Sequence, residues 1–231
     1  MNDKISAITV TRNRVDLLKK CIQYYIDQTW NNKELLILYY DDDYNTKTYL
    51  LSLDKDFKKH NNIRVFNYIP IDNMYLGGLR NYIISKATGD YIIVWDDDDY
   101  HHPKRMSMQI SNIEPLKYAC TLQSVYVFSE FNQDIKRTPN RSEGWENTLL
   151  CRKDKMPLYR NLPKHEDTPV LFKLNKDNLV TSIDVPSLYV YRLHDSNISS
   201  NIHKNKLWIN SKHIENPYHS YNYKKLLNFI K

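Results

Sequence analysis

The first 95 residues alternate between two kinds of segment, and that alternation restricts the fold more than any other feature of the chain. Four short runs, at 4–11 ("KISAITVT"), 33–40 ("KELLILYY"), 63–69 ("IRVFNYI") and 90–95 ("DYIIVW"), are apolar along most of their length. A strand with one wet face alternates apolar and polar residues, whereas a strand that is apolar throughout has both faces covered. The segments between the runs suit helices. In "RVDLLKKCIQYYIDQT", Val15, Leu18, Ile22 and Ile26 recur at helical spacing. Residues 46–60 ("TKTYLLSLDKDFKKH") are read as a second helix and 76–88 ("LGGLRNYIISKAT") as a third. The alternation predicts an α/β fold, a mostly parallel central sheet flanked by helices.

After Pro103 the pattern changes. Residues 103–114 read as a helix with Pro103 in its first turn. Residues 118–130 are strand-like and lead into a polar stretch, 132–144, expected to be a mobile loop. Further strands are expected at 148–153 and 187–193, with a short helix around 166–174. The division expected is one domain over 1–202, in two halves that meet near Tyr100, followed by a polar extension over 203–231.

Composition narrows the partners. Hydrophobic residues make up 41% of the 231 and charged residues 26%, enough for a sizeable core. A net charge of +6 suits anionic ligands and is too small to argue for nucleic acid. Cys21, Cys120 and Cys151 are odd in number and widely spaced, which argues against a disulfide framework or a zinc ribbon and fits a reducing compartment. The N-terminal run is short and interrupted by polar residues, unlike a signal peptide, and no apolar stretch is long enough to span a bilayer. A soluble, cytoplasmic protein is expected.

The fourth apolar run ends in four consecutive aspartates, "GDYIIVWDDDDYHHP". In open parallel sheets, ligands bind beyond the carboxyl ends of the strands, where this cluster falls. If the backbone stays extended, Asp96 and Asp98 point to one side and Asp97 and Asp99 to the other. Carboxylates on one side can share a hard divalent cation and leave coordination positions for a diphosphate. The plainer reading is an acidic, solvated turn that favours the start of the next helix. Gly77, Gly78 and Gly89 shortly precede the cluster, either to let a ligand approach the backbone or to make ordinary turns. In "KHEDTPVLF", Glu166 and Asp167 are a general base or an acidic first helical turn. His101 and His102 can reach a metal or be structural, and the structural role is favoured.

Taken in order, "ITVTRNRVDLLKKCI", "YYDDDYNTKT", "GGLRNYIISKATGDYIIVWDDDD" and "HEDTPVLF" resemble successive motifs of the family 2 glycosyltransferases, which have the GT-A fold. The resemblance covers about residues 4–200. It implies a nucleotide-sugar-binding half over 1–100 and an acceptor half over 101–202. Asp98 matches the metal-binding aspartate of an Asp-x-Asp motif and Asp96 the one that contacts the donor's ribose or sugar. Asp97 is counted with the donor-binding carboxylates. Thr11 and Arg12 match positions beside the nucleotide base, Asp41 and Asp42 the acidic pair that faces it, and Arg80 an arginine near the donor. Asp167 matches the catalytic base, with Glu166 its neighbour. His194, in "YRLHDSNIS", matches a histidine that approaches the metal or diphosphate. The family usually has Gly-Ser after its second-strand acidic pair, and here Asp43 and Tyr44 stand instead.

The resemblance implies inverting sugar transfer from a nucleoside-diphosphate donor, UDP-sugar being expected, to an acceptor hydroxyl. The acceptor is a glycan, a lipid-linked sugar or a protein. Mg²⁺ or Mn²⁺ would stabilise the leaving diphosphate and Asp167 would take the acceptor proton. One alternative is a nucleotidyltransferase that makes nucleotide sugars, disfavoured because "TVTRNRVD" holds no glycine for a phosphate loop. The other is a non-catalytic nucleotide-sugar-binding module. From His203 onward, lysines interleave with Trp208, Tyr218, Tyr221, Tyr223 and Phe229. This pattern can lie on an anionic membrane surface. The favoured reading is a closing helix packed through Leu226, Leu227 and Ile230.

Overall fold

The computed structural model describes residues 3–70, 73–195, 197 and 201–214. Residues Leu226, Leu227 and Ile230 of the expected closing helix lie outside them. The first half follows the expected alternation: β1 (Ile5–Thr11), α1 (Val15–Ile26), β2 (Lys33–Tyr40), α2 (Tyr44–Ser52), α3 (Lys55–His60), β3 (Ile63–Tyr68), α4 (Leu76–Lys86) and β4 (Tyr91–Val94). The second half holds β5 (Tyr100–His101), α5 (Arg105–Ser111), β6 (Ala119–Leu122), β7 (Tyr126–Ser129), β8 (Asp134–Arg137), β9 (Leu150–Arg152), α6 (Thr168–Lys176), β10 (Val180–Ile183), β11 (Tyr189–Leu193), α7 (Asn201–Asn210) and β12 (Lys212–His213). Among the described residues, no helix is long and apolar enough to cross a membrane.

A seven-stranded sheet has the order β10-β6-β9-β4-β1-β2-β3. Strand β1 pairs parallel with both β2 and β4, and β3 extends the parallel set. Only β9, between β4 and β6, runs antiparallel to its neighbours. The continuous apolarity of the strands is explained by their two covered faces. Ile5, Ala7, Leu35, Ile37, Ile93 and Trp95 pack with Leu18, Cys21, Ile22 and Tyr25 of α1. The intervening Ile8, Leu36, Leu38 and Ile92 pack with Leu79 and Ile83 of α4. Strand order runs 3-2-1-4, so it reverses between β1 and β4, and the crevice of such a sheet opens there.

Four expectations need correction. The helix expected over 46–60 is two helices, because Leu53 is extended and the Asp54 carboxylate caps a new start, accepting from Asp56 N at 2.7 Å and Phe57 N at 3.1 Å. The strand expected over 118–130 is two strands in different sheets. β6 belongs to the large sheet, and β7 to a second sheet of order β12-β8-β7-β11-β5. The polar stretch 132–144 contains β8, which pairs antiparallel with β7 and buries Ile135. The helix expected from Pro103 starts two residues later, capped at Lys104. α7 buries Leu207 beside Val127 and Leu193.

Candidate functional site

The glycines before the aspartates serve packing. A Cβ on Gly77 would lie 1.8 Å from the Arg160 carbonyl oxygen, and one on Gly89 would lie 2.5 Å from Ser6 Oγ. Gly77 and Gly78 let the segment around residue 160 approach the start of α4, where the Asn161 side chain accepts from Tyr75 N at 2.8 Å.

β4 ends at Val94, and the aspartates that follow occupy a turn rather than extended chain. The expected two-sided alternation is therefore not seen. Arg14 Nη1 contacts Asp97 Oδ1 at 3.0 Å and Asp98 Oδ2 at 2.7 Å. Asp98 Oδ2 also meets His194 Nε2 at 3.1 Å and Asn197 Nδ2 at 3.3 Å. Asp96 Oδ1 accepts from Arg80 Nη2 at 3.0 Å. Asp99 accepts from the Tyr189 hydroxyl and, at 2.8 Å, from Arg192 N. Arg14 thus grips Asp97 and Asp98 together, whereas Asp96 and Asp99 are held from other parts of the fold.

Burial and mutual repulsion divide the charge unevenly. Burial pushes the Asp97 carboxyl up to about 7, with the charge of Asp98 adding and Arg14 opposing. Burial also raises Asp96, against Arg80. Burial and the charges of Asp98 and Asp96 hold Asp99 well above the ordinary range. Burial acts on Asp98 too, but the hydrogen bond with His194 and the charge of Arg14 outweigh it and hold this carboxyl low. The cluster is tolerable because Arg14 and Arg80 set positive charge against it and Asp98 is the member held low.

Behind the turn lies a buried frame. The His101 ring stacks on Trp95 at 3.8 Å, and its Nε2 meets the Asp96 carbonyl at 3.1 Å. Arg105, fully buried, bonds the other His101 nitrogen and Gln109. Burial, with the Arg105 charge, keeps the His101 imidazole well below its usual pKa. His101 is a neutral structural group.

Arg80 joins the turn to the opposite wall. Its Nη1 lies 2.8 Å from Glu166 Oε1, its Nη2 reaches Asp96, and its guanidinium lies 5.4 Å from the Tyr159 ring centroid. Arg80 and Glu166 are 6% and 3% exposed, so neither is open to a solvent-borne partner. Asp167 is half-buried and caps α6, its Oδ1 accepting from Thr168 N at 2.9 Å. Removing one member of a buried ion pair leaves an uncompensated charge. Arg80→Ala is expected to destabilise the protein by about 3–5 kcal/mol in chemical denaturation, and unchanged stability would contradict the bridge.

The remaining sequence-marked residues sit at the ends of β1 and β2. Arg12 Nη2 pairs with Asp42 Oδ2 at 2.5 Å, and its guanidinium lies over the Tyr40 ring at 4.4 Å. Lys47 Nζ pairs with Asp41 at 2.8 Å. Thr11 is buried at the end of β1, and its side-chain hydrogen bond with Asp97 opposes the upward shift of that carboxyl. Asp43, where the family pattern is broken, is structural: it caps α2 through Thr46 N at 3.1 Å and holds Asn13 N at 2.5 Å.

Sequence reasoning missed Arg14, Asn197 and Tyr189. The available signal was a second arginine in "TRNRVD", placed where a helix start prefers a short polar residue. Among the described residues, no three of His, Cys, Asp and Glu converge so as to hold a metal ion by themselves. Asp98 and His194 are an oxygen and a nitrogen donor in contact. Such a donor pair fits a divalent cation whose other ligands come from a substrate.

Comparison with known proteins bears on the family and the fold. The profile of the family described as Glycosyl transferase family 2 matches residues 6–177. EpsE of Bacillus subtilis (strain 168), which carries a glycosyltransferase name, is 30% identical over 129 residues, covering 55% of this chain and 45% of its own. The fold is similar to that of S. aureus TarS in complex with UDP-GlcNAc, with a TM-score of 0.67 at 14% identity, over 85% of this chain and 61% of that one. It is also similar to the mannosyltransferase PcManGT from Pyrobaculum calidifontis in complex with GDP-Man and Mn²⁺, with a TM-score of 0.64 at 10% identity, over 85% and 59% of the two chains. The chain spans less than half the length of the curated relatives it matches.

Proposed function

The chain belongs to glycosyl transferase family 2, and from that membership we propose that it transfers a sugar, with inversion, from a nucleoside-diphosphate donor to an acceptor hydroxyl. The observation that carries the reading is the buried Arg80 bridge. It ties Asp96, at the β1/β4 crevice, to Glu166, the neighbour of Asp167. One buried cation thus registers the donor side of the site against the wall that would hold the base.

In this reading Asp98 and His194 hold a divalent cation, Mn²⁺ or Mg²⁺. Such an ion, when bound, stabilises the charge that grows on the leaving diphosphate. Asp96 contacts the donor ribose or sugar, oriented by Arg80. The base lies between the ends of β1 and β2, where Thr11, Arg12, Asp41 and Asp42 are gathered, and UDP is the favoured nucleotide. Asp167 accepts the proton of the acceptor hydroxyl as it attacks. The charge of Asp167 acts on both Asp96 and Arg80, as expected of a group sharing their site. Glu166 is committed to Arg80, which leaves Asp167 as the carboxylate free for that role.

The test is a panel of UDP- and GDP-sugars with Mn²⁺, read by release of the nucleoside diphosphate, with the anomeric configuration of any product determined by NMR. Diphosphate release with a β-linked product from an α-linked donor is the expected result. A product of retained configuration would remove the base role from Asp167, and release of pyrophosphate from a nucleoside triphosphate and a sugar phosphate would replace transfer with nucleotidyl chemistry.

A further inference from the structure

Arg14 is out of place by the rules of helix starts. It is the N-cap of α1, and its side chain makes no capping bond. Short polar residues are preferred there, and a cation at a helix N-terminus opposes the helix dipole. The preceding turn holds it in position regardless: Asn13 adopts a left-handed φ of 56°, and its N–H is bound by Asp43 Oδ2 at 2.5 Å. The side chain turns away from its own helix to the aspartate turn. There a single nitrogen, Nη1, serves both Asp97 and Asp98.

That contact falls on one particular atom. Asp98 Oδ2 receives Arg14, His194 and Asn197, all at 3.3 Å or less, so this oxygen has no capacity left. It belongs to the carboxylate assigned above to the divalent cation. A divalent cation and the Arg14 guanidinium therefore compete for the charge of one carboxylate, in a site whose aspartates are 3% and 11% exposed.

We propose that Arg14 is an internal counter-cation that closes Asp98 when no donor is bound and leaves it when a divalent cation arrives with the diphosphate. This rests on the cation role of Asp98 given above. Arg14 loses little by moving, because it keeps Asp97, and its charge then faces the incoming phosphates. It follows that the free enzyme binds a divalent cation weakly, and that cation and nucleotide enter as a unit.

The experiment is titration with Mn²⁺ alone, free ion being followed by electron paramagnetic resonance, for the wild type, Arg14→Met, Arg14→Lys and Arg14→Met/Asp98→Asn. Parallel titrations of the wild type contain UDP or GDP. Arg14→Met is expected to bind Mn²⁺ about 10- to 100-fold more tightly than the wild type, the range of one charge-assisted hydrogen bond. Arg14→Lys keeps the charge and stays at the wild-type affinity, and the added Asp98→Asn removes the gain. If Arg14→Met does not fold, Arg14→Gln, neutral but able to donate a hydrogen bond, carries the same expectation. Mn²⁺ binding by the wild type with nucleotide, but no gain in the neutral variants, overturns the counter-cation and leaves the cation site standing. Absence of Mn²⁺ binding in every combination overturns the cation site itself.

Discussion

Asp98→Ala is expected to lower sugar transfer by about 10³-fold or more while the protein still folds, because stabilising a leaving group's charge is worth several kcal/mol and each decade of rate is about 1.4 kcal/mol. The fold survives because Asp98 packs against polar donors and no apolar core. Arg14 retains Asp97, and His194 retains its backbone ties, its N–H to Asn197 Oδ1 at 2.7 Å and its carbonyl to Lys204 Nζ at 3.0 Å. The neighbouring position supplies the control. Asp97→Asn keeps an oxygen for Arg14 and places its amide beside the Thr11 hydroxyl, which can accept from it, so it should stay far closer to wild type. Wild-type turnover of Asp98→Ala with Mn²⁺ present would refute the assignment.

Asp167→Asn should still bind the donor and lose about 10²–10⁴-fold in transfer, the usual worth of general-base assistance. The substitution is clean because Asn caps a helix as well as Asp, so the α6 start and stability should hold. Glu166→Gln serves as the contrast. It weakens the partner of buried Arg80, so its main effect should be lower thermal stability. Isothermal titration with the nucleotide and initial rates on each variant separate the two outcomes. An active Asp167→Asn beside an inactive, well-folded Glu166→Gln would move the base to position 166.

What the sequence disclosed follows from how far each signal reaches. The parallel sheet was legible because burial on both faces leaves unbroken apolar runs, such as Leu35 to Leu38, and helices leave their own period. Asp96, Asp98, Glu166 and Asp167 were legible as carboxylates at element ends. The division of labour among them was not, since it depends on Arg80 meeting Glu166, 86 residues away, and such a contact leaves no local period. Arg14 was hidden likewise, as its partners lie 83 and 84 residues on. The change of sheet near Ser124 was masked because β6 and β7 are equally apolar. There the Ser124 hydroxyl donates to Asp184 at 2.6 Å and Val125 N to Thr138 Oγ1 at 3.0 Å, contacts that carry no sequence signature. β8 was missed because one buried residue, Ile135, is too little pattern to see.

The antiparallel strand β9 has a consequence for how this protein can be taken apart. It comes from the second half of the chain, yet it sits in the same sheet as β1 to β4, bonded to β4 on one side and β6 on the other. A fragment ending near Tyr100 would lose that neighbour and present the bare edge of β4, including Ile92 and Ile93, both fully buried in the whole protein. An unprotected apolar edge is a template for other chains. The two halves are therefore not modules that evolution or a cloning design can exchange at residue 100. A graft of the first half onto another partner has to carry β9 with it, or the recipient must bring a strand to the same slot.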